Sequence, residues 1–150
     1  MPHHSYCRCW LHLAWATLER RPLLAPPAAV KLSTRLYEYA QEKGIYMRIN
    51  FVNADHVHAL IDLPVSRPIE EVLQLLKGGS SHWVNESNLV PGKFGWQRGY
   101  GAFSVSHSGV EELGAYIANQ EEHHRKRSFT EELRLLVERY GLAWHEEENR

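Results

Sequence analysis

At 150 residues, with 43% hydrophobic and 23% charged side chains, the chain has the make-up of a globular domain large enough to bury a core without staples. A net charge of −1 with histidine neutral excludes a global field driving it onto nucleic acid, although a local basic groove is sufficient for binding. No window approaches the roughly 18 uninterrupted apolar residues of a membrane helix.

The first residues lack the basic-then-apolar layout of a secretory signal. Residues 6–17 alternate as a strand. Cys7, Cys9, Leu11, Leu13 and Trp15 form an apolar face, with Tyr6, Arg8, Trp10 and His12 opposite. Cys7 and Cys9 share a face, which suits buried thiols better than a disulfide, so a reduced cytoplasm is the expected setting. Residues 20–27 are a proline-rich linker that opens a helix over 28–43. Its stripe is Leu32, Leu36, Tyr39 and Ala40, and Gly44 is its stop.

Ile45, Met47, Ile49 and Phe51 then alternate with Tyr46, Arg48 and Asn50, predicting a strand with one dry and one polar face. Residues 53–55 form a turn short enough to fold a third strand back as a hairpin. On that strand, which Pro64 closes, His56 and His58 point to one face and Val57, Ala59 and Ile61 to the other. Two imidazoles at this spacing are close enough to hold one ion. Taken alone, they read more readily as two solvated side chains.

From about Ser66 a second helix buries Ile69, Val72, Leu73 and Leu76. Gly78 and Gly79 either weaken it or bring a backbone close to something, and helical pattern resumes over 82–85. Residues 88–99 are loop-like, with a short edge strand at 94–96, and 100–106 form a further strand. Ser108-Gly-Val-Glu111 and Ser128-Phe-Thr-Glu131 read as capping boxes. The first opens a helix to about Arg125, and the second a helix to Tyr140 that Gly141 ends. One domain over 1–150 follows, with about 1–5 and 144–150 flexible. The order predicts an α+β class: a ferredoxin-like βαββαβ antiparallel sheet with C-terminal helices. That fold hosts many functions and selects none.

Tyr116 and Gln120 lie four apart on the helix after Ser108 and share a face beside its packing stripe. By spacing alone the pair reads more readily as an ordinary amphipathic boundary than as a site. Residues 121–125, Glu-Glu-His-His-Arg, place adjacent histidines about 100° apart and read as a solvated face.

Five segments in order resemble the HUH-superfamily single-tyrosine transposases of small insertion sequences, including relatives acting on repetitive extragenic palindromes. They are Leu11-His-Leu-Ala-Trp-Ala-Thr17 with Arg21-Pro-Leu-Leu24; His56-Val-His58; Leu76-Lys-Gly-Gly-Ser-Ser81; Trp96-Gln-Arg-Gly-Tyr100 followed by Phe103-Ser-Val-Ser106; and Tyr116-Ile-Ala-Asn-Gln120. The resemblance implies that His56, His58 and Gln120 ligate a divalent ion, Mg²⁺ or Mn²⁺. It implies that Tyr116 attacks a phosphodiester of single-stranded DNA near a hairpin, giving a 5′-phosphotyrosine link and a free 3′-OH. Strands can then be cut and rejoined without ATP. It further implies a homodimer whose site can be completed in trans. Candidate DNA contacts are Arg48, Lys77, Ser80, Ser81 and Arg98, which read equally as solvated surface, while Tyr46 and Trp83 are base stackers or, as aromatic residues on a half-buried sheet more often are, packing.

Three rival readings stand beside this one. A metallohydrolase barrel needs about 200 residues or more. A non-catalytic ferredoxin-like nucleic-acid module would lack its RNP1 signature and leave the His/His/Tyr/Gln set unexplained. A domesticated relative that processes palindromic repeats without mobilising itself is not separable by sequence.

Overall fold

Alternation along two central strands sets the layers. The computed structural model describes residues 5–123 and 127–146. Its elements are β1 (Trp10–Ala16), α1 (Pro26–Glu42), β2 (Tyr46–Val52), β3 (His56–Asp62), α2 (Ile69–Glu86), β4 (Gly101–Val105), α3 (Val110–Ala118), α4 (Gln120–His123) and α5 (Phe129–Arg139). The strands form one antiparallel sheet in the order β2-β3-β1-β4, the ferredoxin-like βαββαβ arrangement that the element order predicts.

Leu11, Leu13 and Trp15 of β1 and Val57, Ala59 and Ile61 of β3 join Leu32 and Leu36 of α1 and Leu73 and Leu76 of α2 in the main core. The opposite sheet face carries two smaller clusters. Ala14 and Ala16 meet Phe103, Phe129 and Leu133, while Trp10 and Leu60 meet Val110 and Ile117. This second face, roofed by α3 and α5, also holds the polar residues of β1 and β3.

α1 starts at a proline whose fixed φ suits the first helical turn. It is followed by Gly44 at φ +74°, a left-handed conformation open to glycine at little cost. α2 runs unbroken through Gly78 and Gly79. A Cβ on Gly79 would overlap the ring of Tyr39, so the second glycine marks a close approach of α1 to α2.

Several expectations are corrected. β1 begins at Trp10, and Cys7 is exposed and Cys9 half-buried, so neither is a buried thiol. β2 does not keep one dry and one polar face, because its register against β3 shifts between Met47 and Ile49. Past the shift, Asn50 Nδ2 donates to the Ser33 carbonyl of α1, while Ile49 and Phe51 pack on the Trp10–Leu60 cluster. The edge strand at 94–96 reduces to a single bridge between Thr17 and Trp96.

The Ser108 capping box does not form. His107–Gly109 make a 3₁₀ turn, and Gly109 caps α3 with no side-chain bond. Asn119, at φ −100° and ψ 25°, breaks the helix before α4 adds one turn. The predicted end near Arg125, and the side chains of His123 to Arg125, lie outside what is described. The Ser128 box does form, with Glu131 N–H donating to Ser128 Oγ at 3.2 Å. Trp144, expected in a frayed tail, packs half-buried against the Ala14–Phe129 cluster. Residues 1–4 and 147–150 of the expected flexible ends lie outside the described residues.

Candidate active site

Strand alternation brings His56 and His58 onto the face covered by α3 and α5, opposite Ala16 and Ala14 of β1. The two alanines leave room above the sheet that larger residues would fill. Both imidazoles are buried, at 1% and 0% exposure, with ring centroids 5.1 Å apart.

Each His has an acceptor or partner at Nδ1. His56 Nδ1 lies 2.7 Å from Asp55 Oδ1, and His58 Nδ1 lies 2.8 Å from His12 Nε2. Asn53 Nδ2 lies 3.0 Å from His56 Nε2, a donor that only an unprotonated nitrogen satisfies. Burial first, and the His58 ring second, push His12 down to about 3, with the Glu132 carboxylate opposing. His12 is therefore neutral at neutral pH, and its Nε2 can either donate to or accept from His58 Nδ1. Accepting is the arrangement that would turn a His58 Nε2 lone pair toward an ion in place of the proton that bridges it to Glu132 Oε1.

The helical break at Asn119 and the first turns of α5 supply the other wall. Gln120, fully buried, places Oε1 3.5 Å from His56 Nε2 and donates from Nε2 to Glu132 Oε2 at 3.3 Å. The Tyr116 hydroxyl donates to the same Glu132 Oε2. Glu132 Oε1 lies 2.7 Å from His58 Nε2 and 3.9 Å from His56 Nε2. Burial, then the bond to Glu132, raises the Tyr116 phenol above its usual range. The Phe129 ring stacks on His56 at 4.3 Å between centroids.

His56, His58 and Glu132 each present one ligand atom, all within 4.8 Å of one another. Two imidazole nitrogens and a carboxylate oxygen, with the Gln120 carboxamide beside them, suit a divalent cation. Thus the structure brings together four sequence-predicted residues: His56, His58, Tyr116 and Gln120. It adds Glu132 and His12, which the sequence reading missed. A signal for Glu132 was present: Phe129, Glu132 and Leu133 fall at the i, i+3, i+4 spacing of a buried stripe, and all three are buried. An acid on such a stripe needs a partner.

The five candidate DNA contacts differ from each other in character. Arg48 is exposed at the β2 irregularity, and Arg98 is exposed in the loop before β4. Lys77 Nζ donates to the Gln97 and Gly99 carbonyls at 2.9 and 2.7 Å, and burial lowers its pKa. Ser80 is buried, accepting from Trp96 Nε1 at 2.9 Å, while half-buried Ser81 donates to Gly78 O. Trp83 packs partly buried against the main core, and Tyr46 sits edge-on to Trp10.

A family model described as transposase, IS200-like, matches residues 5–120. The ISDra2 transposase TnpA of Deinococcus radiodurans is 27% identical over 114 residues, covering 73% of this chain and 81% of the relative. Among solved structures, a putative transposase from Deinococcus radiodurans R1 superposes with a TM-score of 0.63 at 24% identity, covering 80% of this chain and 96% of the other. A REP-associated tyrosine transposase bound to a REP hairpin superposes with a TM-score of 0.59 at 15% identity, covering 80% and 71%. The two structural likenesses bear on the fold, which they share with this chain.

Proposed function

The chain belongs to the IS200-like transposase family, and from that premise we propose that it cuts and rejoins single-stranded DNA near hairpins through a covalent link to Tyr116. One observation carries the reading. A single carboxylate, Glu132, joins the Tyr116 phenol, the Gln120 carboxamide and His58 in one buried cluster.

A phenol is a weak nucleophile at neutral pH, and burial makes this one weaker still. Glu132 Oε2 already accepts the Tyr116 O–H, so the proton has a place to go as the phenolic oxygen bonds to phosphorus. The bond from phosphorus to the 3′ oxygen breaks, and that oxygen leaves as a hydroxyl after taking a proton. One phosphoester replaces another, and the reverse attack by a 3′-OH rejoins a strand. A divalent cation such as Mg²⁺ or Mn²⁺, held by His56, His58 and Gln120 with Glu132 as a further oxygen donor, would polarise the phosphate. Asp55 and His12 fix the rings that would hold it.

Arg48, Lys77, Ser81 and Arg98 remain proposed DNA contacts, and the hairpin held by the REP-associated neighbour makes a hairpin-bearing strand the first substrate to try. Incubation of labelled strands of this kind with Mn²⁺ should give a covalent protein–DNA adduct on a denaturing gel. Tyr116→Phe should give none, and an adduct formed by that variant would overturn the assignment. The Tyr116 ring lies edge-on to His58 of its own chain, 6.4 Å between centroids, which supports a site complete in cis. A homodimer exchanging tyrosine helices is tested by mixing Tyr116→Phe with His56→Ala chains, since only exchange restores the adduct. Flanking palindromes around the gene would separate a self-mobilising element from a domesticated relative.

A further inference from the structure

Beside the histidine cluster lies an open-sided cavity of about 710 Å³, bounded by the end of β1, the loop before β4, α5 and the C-terminal segment after it. We infer that this cavity binds an unpaired nucleotide of the DNA strand next to the scissile phosphate, with Arg20 on a backbone phosphate and the base against Tyr100 and Trp144. The inference rests on the single-strand cleavage reading above and names a contact site that reading leaves open.

Four observations lead to it. First, the lining pairs two guanidinium groups, Arg20 and Arg98, with Tyr100 and Trp144 among its aromatic rings, and among the described residues no carboxylate lines it. In a chain of net charge −1 this is a local concentration of cationic and stacking chemistry, the combination that holds single strands irrespective of base. Second, Arg20 Nε is buried with no hydrogen-bond partner, although Asp55 lies near enough to influence the guanidinium. A phosphate oxygen supplies the missing acceptor.

Third, the backbone is set to aim this side chain. Glu19 and Arg20 both take positive φ, 56° and 54°, which costs on the order of 1 kcal/mol or more for non-glycine residues. The facing loop is pinned: Leu18 N–H donates to Gly95 O, Gln97 N–H to Ala16 O, and Lys77 to the Gln97 and Gly99 carbonyls. The cavity wall is thus built rather than left to a loose loop. Fourth, the cavity adjoins the site through shared walls. Ala16 lines it and pairs with His56 across the sheet, and Phe129 lines it while stacking on the His56 ring.

The test uses Tyr116→Phe protein, which cannot cut, and two fluorescein-labelled hairpins, one blunt and one with short single-stranded flanks. Anisotropy should show tighter binding of the flanked hairpin. Arg20→Gln and Trp144→Ala, each added to that background, should weaken flanked binding by about tenfold and leave blunt binding unchanged. Tyr100→Leu should repeat the result without altering the C-terminal packing. Equal affinity for the flanked strand in all three variants overturns the inference, as does an equal loss on both hairpins. Should the unmutated protein form no adduct with any hairpin strand, the cleavage reading fails, while the anisotropy comparison still decides the cavity.

Discussion

Tyr116 and Glu132, sixteen residues apart, meet through a hydrogen bond in which the phenol donates and the carboxylate accepts. The other oxygen of that carboxylate sits 2.7 Å from His58 Nε2, so one acid touches both the proposed nucleophile and the proposed metal site. Removing its charge should therefore be felt twice. Glu132→Gln is expected to weaken Mn²⁺ binding by about tenfold or more in titration calorimetry. It should also bring the Tyr116 phenol back toward the ordinary range of about 10 in an ultraviolet titration. Unchanged Mn²⁺ affinity would remove Glu132 from the ligand set.

His12 gives the metal-free protein a pH signature. Its folded pKa, about 3, lies below the unfolded value of 6.5, so below 6.5 the unfolded chain takes up a proton that the fold refuses. The contribution is fully present above about pH 6.5 and is lost as pH falls toward 3, at up to about 1.4 kcal/mol per pH unit. His12→Gln, which cannot be protonated, should flatten the acid limb of urea-unfolding free energy against pH by about one proton. Identical slopes for the two proteins would show that His12 is not held neutral.

The adjacent glycines of α2 should respond in opposite directions. Gly78 has open space where a Cβ would stand, and Gly78→Ala should stabilise by up to about 1 kcal/mol through helix propensity. Gly79→Ala drives a methyl into the Tyr39 ring, which Arg35 and Lys43 flank, and should cost about 1–3 kcal/mol. Thermal melts of the two variants shifting the same way would contradict the close approach of α1 to α2.

Phe129 separates the cavity from His56. His56, His58 and Gln120 are at most 1% exposed, so a phosphodiester reaches them only when covering side chains move, and the Phe129 ring is one of these. Phe129→Ala should lower stability by about 3 kcal/mol or more, as expected for an emptied core position. At a temperature where the variant stays folded, it should speed adduct formation several-fold. A slower rate with native-like hydrogen exchange in α5 would place the barrier elsewhere.

What the sequence determined by itself is whatever depends on local periodicity. Alternation in β1 and β3 put His56 and His58 on one face and the main core on the other, and element order specified the antiparallel sheet. The four-residue step from Tyr116 to Gln120 placed both on one side of their helix. A side chain's direction follows from its own backbone, so these features were legible without partners. The shift between Met47 and Ile49 was not, because register belongs to two strands at once. Nor was the break at Asn119, which moves Gln120 onto its own short turn.

Glu132 shows the limit most clearly. As a residue it was one acid in the first turns of a capped helix, indistinguishable by type from the exposed Glu131 beside it. Only the packing of α5 against Ala14 and Ala16 carries it to His58 and Tyr116, because long-range contact depends on where two elements dock and not on either pattern alone. The same docking lets Trp144 close the cavity that Arg20 faces.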